Sequence, residues 1–188
     1  MIVQGKKIYL RAIREADLDE LFAYSSDLES YGNFILIEII SEVALRQKFS
    51  QTGFLTEDDG ILLFCDVESH AIYGMVEYFR ATPYFDGYEL AYRIYNRIGN
   101  SGRGLTSEAV VLASYLMFSM RRINRMEIKV DVNHAASRRV AEKAGYVFEG
   151  VARKAFYLRG THRDMAIYSM LRDEAPQTHQ EALARIPD

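Results

Sequence analysis

The chain has 188 residues, 49% hydrophobic and 26% charged, enough for one good core and short for two domains. A single cysteine, Cys65, excludes an internal disulfide, and His70, His134, His162 and His179 are scattered without metal-ligand spacing, so no metal is expected. No apolar run approaches about 18 residues and the start lacks a signal-peptide core, which predicts a cytoplasmic chain with no membrane contact.

The net charge of −3 hides an asymmetry, with residues 1–90 carrying −9 and residues 91–188 carrying +6. The split suits a cationic ligand drawn to the first half and an anionic one held by the second, or two differently decorated surfaces. Arg121, Arg122 and Arg125 form a short basic cluster without interleaved aromatics, so a nucleic-acid surface is not expected.

In chain order, residues 6–12 read as a strand and 14–25 as a helix, introduced by acidic Glu15, Asp17 and Asp19. A second helix is predicted over 41–51. Residues 61–67 and 72–79 read as a hairpin and 88–95 as a further strand. The apolar stretch 105–120 is long enough for a buried helix. Residues 126–132 alternate apolar and charged with period two, the mark of a strand with one buried face. Asn133 suits a helix cap, Ala136, Val140, Ala141 and Ala144 recur at helical spacing, and Gly145 suits a left-handed stop. Residues 151–158 and 165–171 flank a turn and close the pattern as a second hairpin. Beyond Asp173 the chain turns polar, with Pro176 and Pro187, and reads as a frayed tail with room for one helical turn. Strands and helices in this order imply an α/β layered fold with a mixed sheet.

Between the strand at 88–95 and the helix at 105–120 lies Gly99-Asn100-Ser101-Gly102-Arg103-Gly104-Leu105-Thr106-Ser107-Glu108-Ala109. Glycines there let several N–H groups approach a ligand and the helix dipole adds positive charge, so a phosphate would be stabilised. An ordinary tight turn is the alternative. Neither the Walker nor the dinucleotide spacing is present.

This loop, the segment NHAASRRVAEKAGYVFEG from Asn133 to Gly150, and the shorter Tyr9-Leu10-Arg11, Glu89-Leu90-Ala91-Tyr92 and Gly160-Thr161-His162-Arg163-Asp164 together resemble the GNAT acetyltransferases. The similarity is to the ribosomal-protein (RimJ/RimL-like) branch and also touches spermidine acetyltransferases. It implies a three-layer fold with a central mixed, mostly antiparallel sheet flanked by helices, as one domain over residues 1–173, followed by a polar tail at 174–188. It further implies acetyl-CoA as acyl donor, an amine acceptor and, at family level, a homodimer. By resemblance the pyrophosphate is held by Ser101, Gly102, Arg103, Gly104, Leu105, Thr106 and Ser107. The pantetheine arm would pair with Ile94 and Tyr95 and contact Asn133. Three positions depart from the family pattern: Ser101 replaces Arg or Gln, Thr106 replaces Gly or Ala, and Ala141 replaces a tyrosine.

Acetyl transfer to an amine needs a neutral nucleophile, a stabilised oxyanion and a proton for the departing thiolate. Glu89 is the first candidate base and Glu77 the second, either of which could be a plain strand carboxylate. The Tyr95 or Ile94 N–H is the family-implied oxyanion donor. Ser137 takes over the acid role that Ala141 leaves vacant, or bonds only to its own helix. Tyr78, Phe79, Tyr84, Phe85 and Tyr88 could line an acceptor pocket or fill the core, and Glu38, Glu42, Asp58, Asp59 and Asp86 would favour a cationic acceptor. The competing reading is a degenerate GNAT that binds acyl-CoA as a sensor without turnover.

Overall fold

The structure is a computed structural model that describes residues 3–37, 39–80 and 86–187. Strand β1 (Val3–Gln4) turns into β2 (Ile8–Ala12), and a 3₁₀ turn at Glu15–Asp17 leads into helix α1 (Leu18–Ser26). After a second 3₁₀ turn at Leu28–Tyr31 come α2 (Glu42–Thr52), β3 (Asp59–Asp66), β4 (Ile72–Phe79) and β5 (Gly87–Ile94). A helical turn, α3 (Arg97–Asn100), precedes α4 (Leu105–Met120), β6 (Arg125–Asp131), α5 (Ala135–Lys143), β7 (Val147–Leu158), β8 (Thr161–Leu171) and α6 (His179–Arg185). Tyr84, Phe85 and Glu38 lie outside the described residues.

The eight strands form one sheet in the order β1-β2-β3-β4-β5-β6-β8-β7, antiparallel throughout except for the β5/β6 pair. The expected three-layer α/β architecture is therefore present. Under one face, α4 and α5 bury Leu62, Val76, Leu90, Ile128 and Tyr168; under the other, α1 and α2 bury Leu63, Cys65, Ile72 and Tyr95. The alternation of β4, buried then half-buried along its whole length, produces this two-sided packing. Helix α4 is apolar all round, with residues such as Ala109, Val110 and Leu112 fully buried, so it forms the centre of its layer.

Tyr78 and Tyr88 belong to the core, their rings edge-to-face at 5.8 Å and their hydroxyls donating to the Thr56 and Glu57 carbonyls at 3.0 and 2.7 Å. The closing hairpin turns on two residues rather than six, because Arg159 (φ 49°) and Gly160 (φ 83°) adopt the left-handed pair that matches strand twist. The segment past Asp173 is not frayed. The Thr178 hydroxyl accepts the Glu181 N–H at 3.2 Å to start α6, and Ala175, Ala182 and Ile186 are buried. No helix among the described residues is long and apolar enough to cross a membrane.

Candidate active site

Strands β5 and β6 pair only at Gly87/Arg125, Tyr88/Met126 and Glu89/Glu127. β5 nevertheless continues against β4 to Ile94, and β6 against β8 to Asp131. Past Glu89 no pairing between the two strands is present among the described residues, which leaves a wedge in mid-sheet. Tyr95 cannot supply a donor to it: its N–H goes to the Tyr73 carbonyl at 2.7 Å, its carbonyl accepts from Asn100 Nδ2 at 3.1 Å, and its ring stacks on Tyr24 at 4.1 Å. Since successive N–H groups along a strand point to opposite edges, the Ile94 N–H points into the wedge. Of the two donors expected there, only the Ile94 N–H faces the wedge, and the Tyr95 N–H is corrected to a structural one, held by the Tyr73 carbonyl.

At the open end of β5 lies the glycine-rich loop. Gly102 (φ 81°) and Gly104 (φ 79°) take left-handed conformations, and no atom lies within 4 Å of where a Cβ would project from either. The first bond of α4 is Glu108 N–H to the Gly104 carbonyl at 3.0 Å, and no side chain caps the helix. The N–H groups of Leu105, Thr106 and Ser107 thus have no partner within the helix, in an open cradle at the positive end of a 16-residue dipole. Ser101, Gly102 and Arg103 are exposed, whereas the Leu105 and Ser107 side chains are buried. The cradle is made of backbone, which suits phosphate whatever side chain stands at 101.

On the α4/α5 face, Ser137 is buried and its hydroxyl lies 2.9 Å from the phenol of Tyr92, which also sits 3.0 Å from the Ser137 carbonyl. Burial pushes the Tyr92 phenol above its ordinary range, so it stays protonated. Ser137 and Ala141 share a face of α5, one turn apart, so the phenol missing at 141 reaches that face from the opposite wall. Strand alternation places Tyr92 on the opposite face of the sheet from Glu89, so its contact with Ser137 depends on where α5 packs. Asn133 is not the cap: its N–H donates to Asp131 Oδ1 at 2.8 Å, and the helix starts at Ala135 after His134. It is exposed, as is Ala136, while Gly145 ends the helix at φ 89° as expected.

Across the sheet, on the face that α5 does not cover, Glu89 marks the apex of the wedge. Its carboxylate accepts from Lys129 Nζ at 2.9 Å, and the same ammonium is 3.1 Å from Glu127. Burial pushes the Glu89 carboxyl above the usual carboxylate range despite the Lys129 ion pair, which is the shift a general base needs. Two residues beyond Lys129, Asp131 is 5% exposed, and its Oδ2 has no hydrogen-bond partner among the described residues, with Arg163 Nε 3.9 Å away. The charged alternation of β6 was readable as one face; that this face borders the wedge was not. Glu77 pairs with Ala91, one strand over from the wedge.

The profile of the acetyltransferase (GNAT) domain matches residues 7–147. The chain belongs to the GNAT acetyltransferases. Bacillus subtilis "Probable N-acetyltransferase YjcK" is 26% identical over 187 residues, covering 94% of this chain and all of that protein. Two solved structures share the fold: spermidine N-acetyltransferase from Vibrio cholerae with CoA and spermine (18% identity, TM-score 0.75, covering 89% of this chain and 97% of that one) and RimL, a ribosomal L7/L12 α-N-protein acetyltransferase, with CoA (19% identity, TM-score 0.75, covering 91% and 98%).

Proposed function

We propose that this GNAT chain transfers the acetyl group of acetyl-CoA directly to a primary amine inside the β5/β6 wedge. The observation that carries the reading is the end of β5/β6 pairing at Glu89 beside the uncapped N-terminus of α4. Phosphates would sit on the Leu105, Thr106 and Ser107 N–H groups, and the acyl chain would run down the wedge past Ile94. Donor and acceptor then approach from opposite faces of the sheet: the thioester from the α4/α5 side with Ser137 and Tyr92, the amine from the side of Glu89 and Asp131.

The chemistry follows from that division. Glu89 takes the proton of the incoming ammonium, the amine nitrogen attacks the thioester carbon, and the Ile94 N–H stabilises the oxyanion that forms. As the C–S bond breaks, the Tyr92/Ser137 pair gives a proton to the departing thiolate, and the second proton shed by the acylated nitrogen restores it. No covalent enzyme intermediate is needed. Glu89 and Glu127 share Lys129, and Glu127 also pairs with Arg125. That leaves Asp131, 3.9 Å from Arg163 and without a hydrogen bond at Oδ2 among the described residues, as the carboxylate with a free oxygen for a cationic acceptor. The solved relatives named for a protein N-terminus and for a polyamine support both acceptors. Release of free CoA across Ser-initiated peptides, spermidine and aminoglycosides tests this. Ser101, Thr106 and Ala141 support a second reading, an acyl-CoA sensor, for which the same assay gives tight binding and no turnover.

A further inference from the structure

The loop that should hold phosphate has lost its family side chain, since Ser101 stands where Arg or Gln is usual, and its own cation is turned away. The Arg103 guanidinium lies 5.1 Å over the Tyr73 ring and donates to Asn100 Oδ1 at 3.2 Å. The first turn of α4 also carries Glu108, a buried carboxylate that by itself would oppose an anion.

The β1/β2 hairpin answers both problems. Glu108 Oε1 accepts the backbone N–H groups of Lys6, Lys7 and Ile8 at 2.6, 2.8 and 3.2 Å, seating the hairpin against the first turn of α4. Gly5 permits that approach: a Cβ there would come within 2.2 Å of the same oxygen. Seated so, the two lysines diverge. Lys6 Nζ donates to the Ile186 carbonyl at 3.0 Å, on the α6 side, while Lys7 Nζ reaches the phosphate loop, 3.5 Å from the Arg103 carbonyl. An ammonium has three protons, and that one long contact leaves the others for a ligand.

We propose that Lys7 is a phosphate ligand of the CoA site, supplying from the far end of the chain the cation that position 101 lacks, and that Glu108 is the positioning residue that holds it there. This rests on the acetyl-CoA reading above. It assigns a binding role to a residue outside the loop and helix that hold the rest of the site. The ligand is either the pyrophosphate or the 3′-phosphate of CoA, and the titrations below distinguish the two.

Isothermal titration of the full chain with CoA and with dephospho-CoA tests it. Lys7→Ala is expected to raise the Kd for CoA about 5- to 10-fold, as loss of one partly exposed charge-assisted contact should, with Lys7→Arg restoring it and Lys48→Ala without effect. An equal loss with dephospho-CoA assigns the pyrophosphate, and a loss with CoA alone assigns the 3′-phosphate. Glu108→Gln should weaken CoA binding in the parent chain and add nothing in the Lys7→Ala background, a non-additivity that general destabilisation would not give. A Lys7→Ala Kd within twofold of the parent overturns the role of Lys7, and equal additive losses overturn that of Glu108. Failure of the parent chain itself to bind CoA would instead sink the cofactor reading on which both depend.

Discussion

Glu89→Gln removes the proposed base while keeping side-chain volume, and Lys129 keeps Glu127 at 3.1 Å, so no cation is stranded. The size of the loss depends on the acceptor. At pH 7 a lysine-like amine with pKa near 10.4 is neutral in roughly one molecule in two thousand, and an α-amine near 7.7 to 8 in roughly one in ten. Deprotonation before attack can therefore contribute up to about 10³-fold for the first and only about 10-fold for the second. Expected in kcat/KM are losses of about 10²- to 10³-fold with spermidine and about 10-fold with a Ser-initiated peptide. The peptide defect should shrink between pH 7 and 9 as the α-amine deprotonates unaided. In the parent chain the acid limb of the profile should lie above the ordinary carboxylate range, because burial raises the Glu89 pKa. The assay is CoA release against pH with both acceptors. A Glu89→Gln rate within threefold of the parent on both, at pH 7, refutes the base assignment and leaves Glu89 an ion-pair partner of Lys129.

Tyr92→Phe removes the phenol that reaches Ser137 and should lower kcat about 10- to 100-fold with little change in acetyl-CoA KM; a larger fall in Ser137→Ala alone would reverse their order in the proton path. Asp131→Asn keeps the acceptor for the Asn133 N–H but discharges Oδ2, which has no hydrogen-bond partner among the described residues and only the 3.9 Å ion pair with Arg163, so the KM for spermidine should rise about tenfold while that for acetyl-CoA stays put, measured by steady-state CoA release. Stability should depend on Glu149, whose pKa the Arg125 hydrogen bond, with help from Ser169, lowers from 4.5 to about 2. Because the folded pKa lies below the unfolded one, the contribution is present above pH 4.5 and lost as pH falls toward 2. Glu149→Gln should cost about 1 kcal/mol at pH 7, discounted for a half-exposed pair, and progressively less as pH falls from 4.5 through 2, by urea unfolding at each pH.

Much of the scaffold was legible because the signals are local. Helix α4 and strand β4 have the bounds their apolar run and alternation imply, and the amide cradle follows from glycines ahead of a helix. Misreadings arose where a distant partner takes over a local group. Asn133 looks like a cap, but it sits in a turn closed by its N–H on Asp131, and the helix starts only at Ala135 with His134 at the cap position. Tyr95 looks like an edge donor, but Tyr73 is its strand partner. Thr178 and Glu181 carry the S/T-x-x-E start signal of α6, and polarity around them masked it. The reach of Tyr92 to Ser137, of Lys7 to the loop and of Lys129 to Glu89 depends on how segments 40 or more residues apart are brought together, which one-dimensional periodicity does not encode.

The most direct test of the account is mass spectrometry of amine products after incubation of the chain with acetyl-CoA and an equimolar mixture of Ser-initiated peptide, spermidine and an aminoglycoside. It predicts a singly acetylated amine formed in step with free CoA, abolished when Gly104→Asp puts a carboxylate into the amide cradle. CoA binding with no acetylated product from any amine, under conditions where the cofactor saturates, would contradict it.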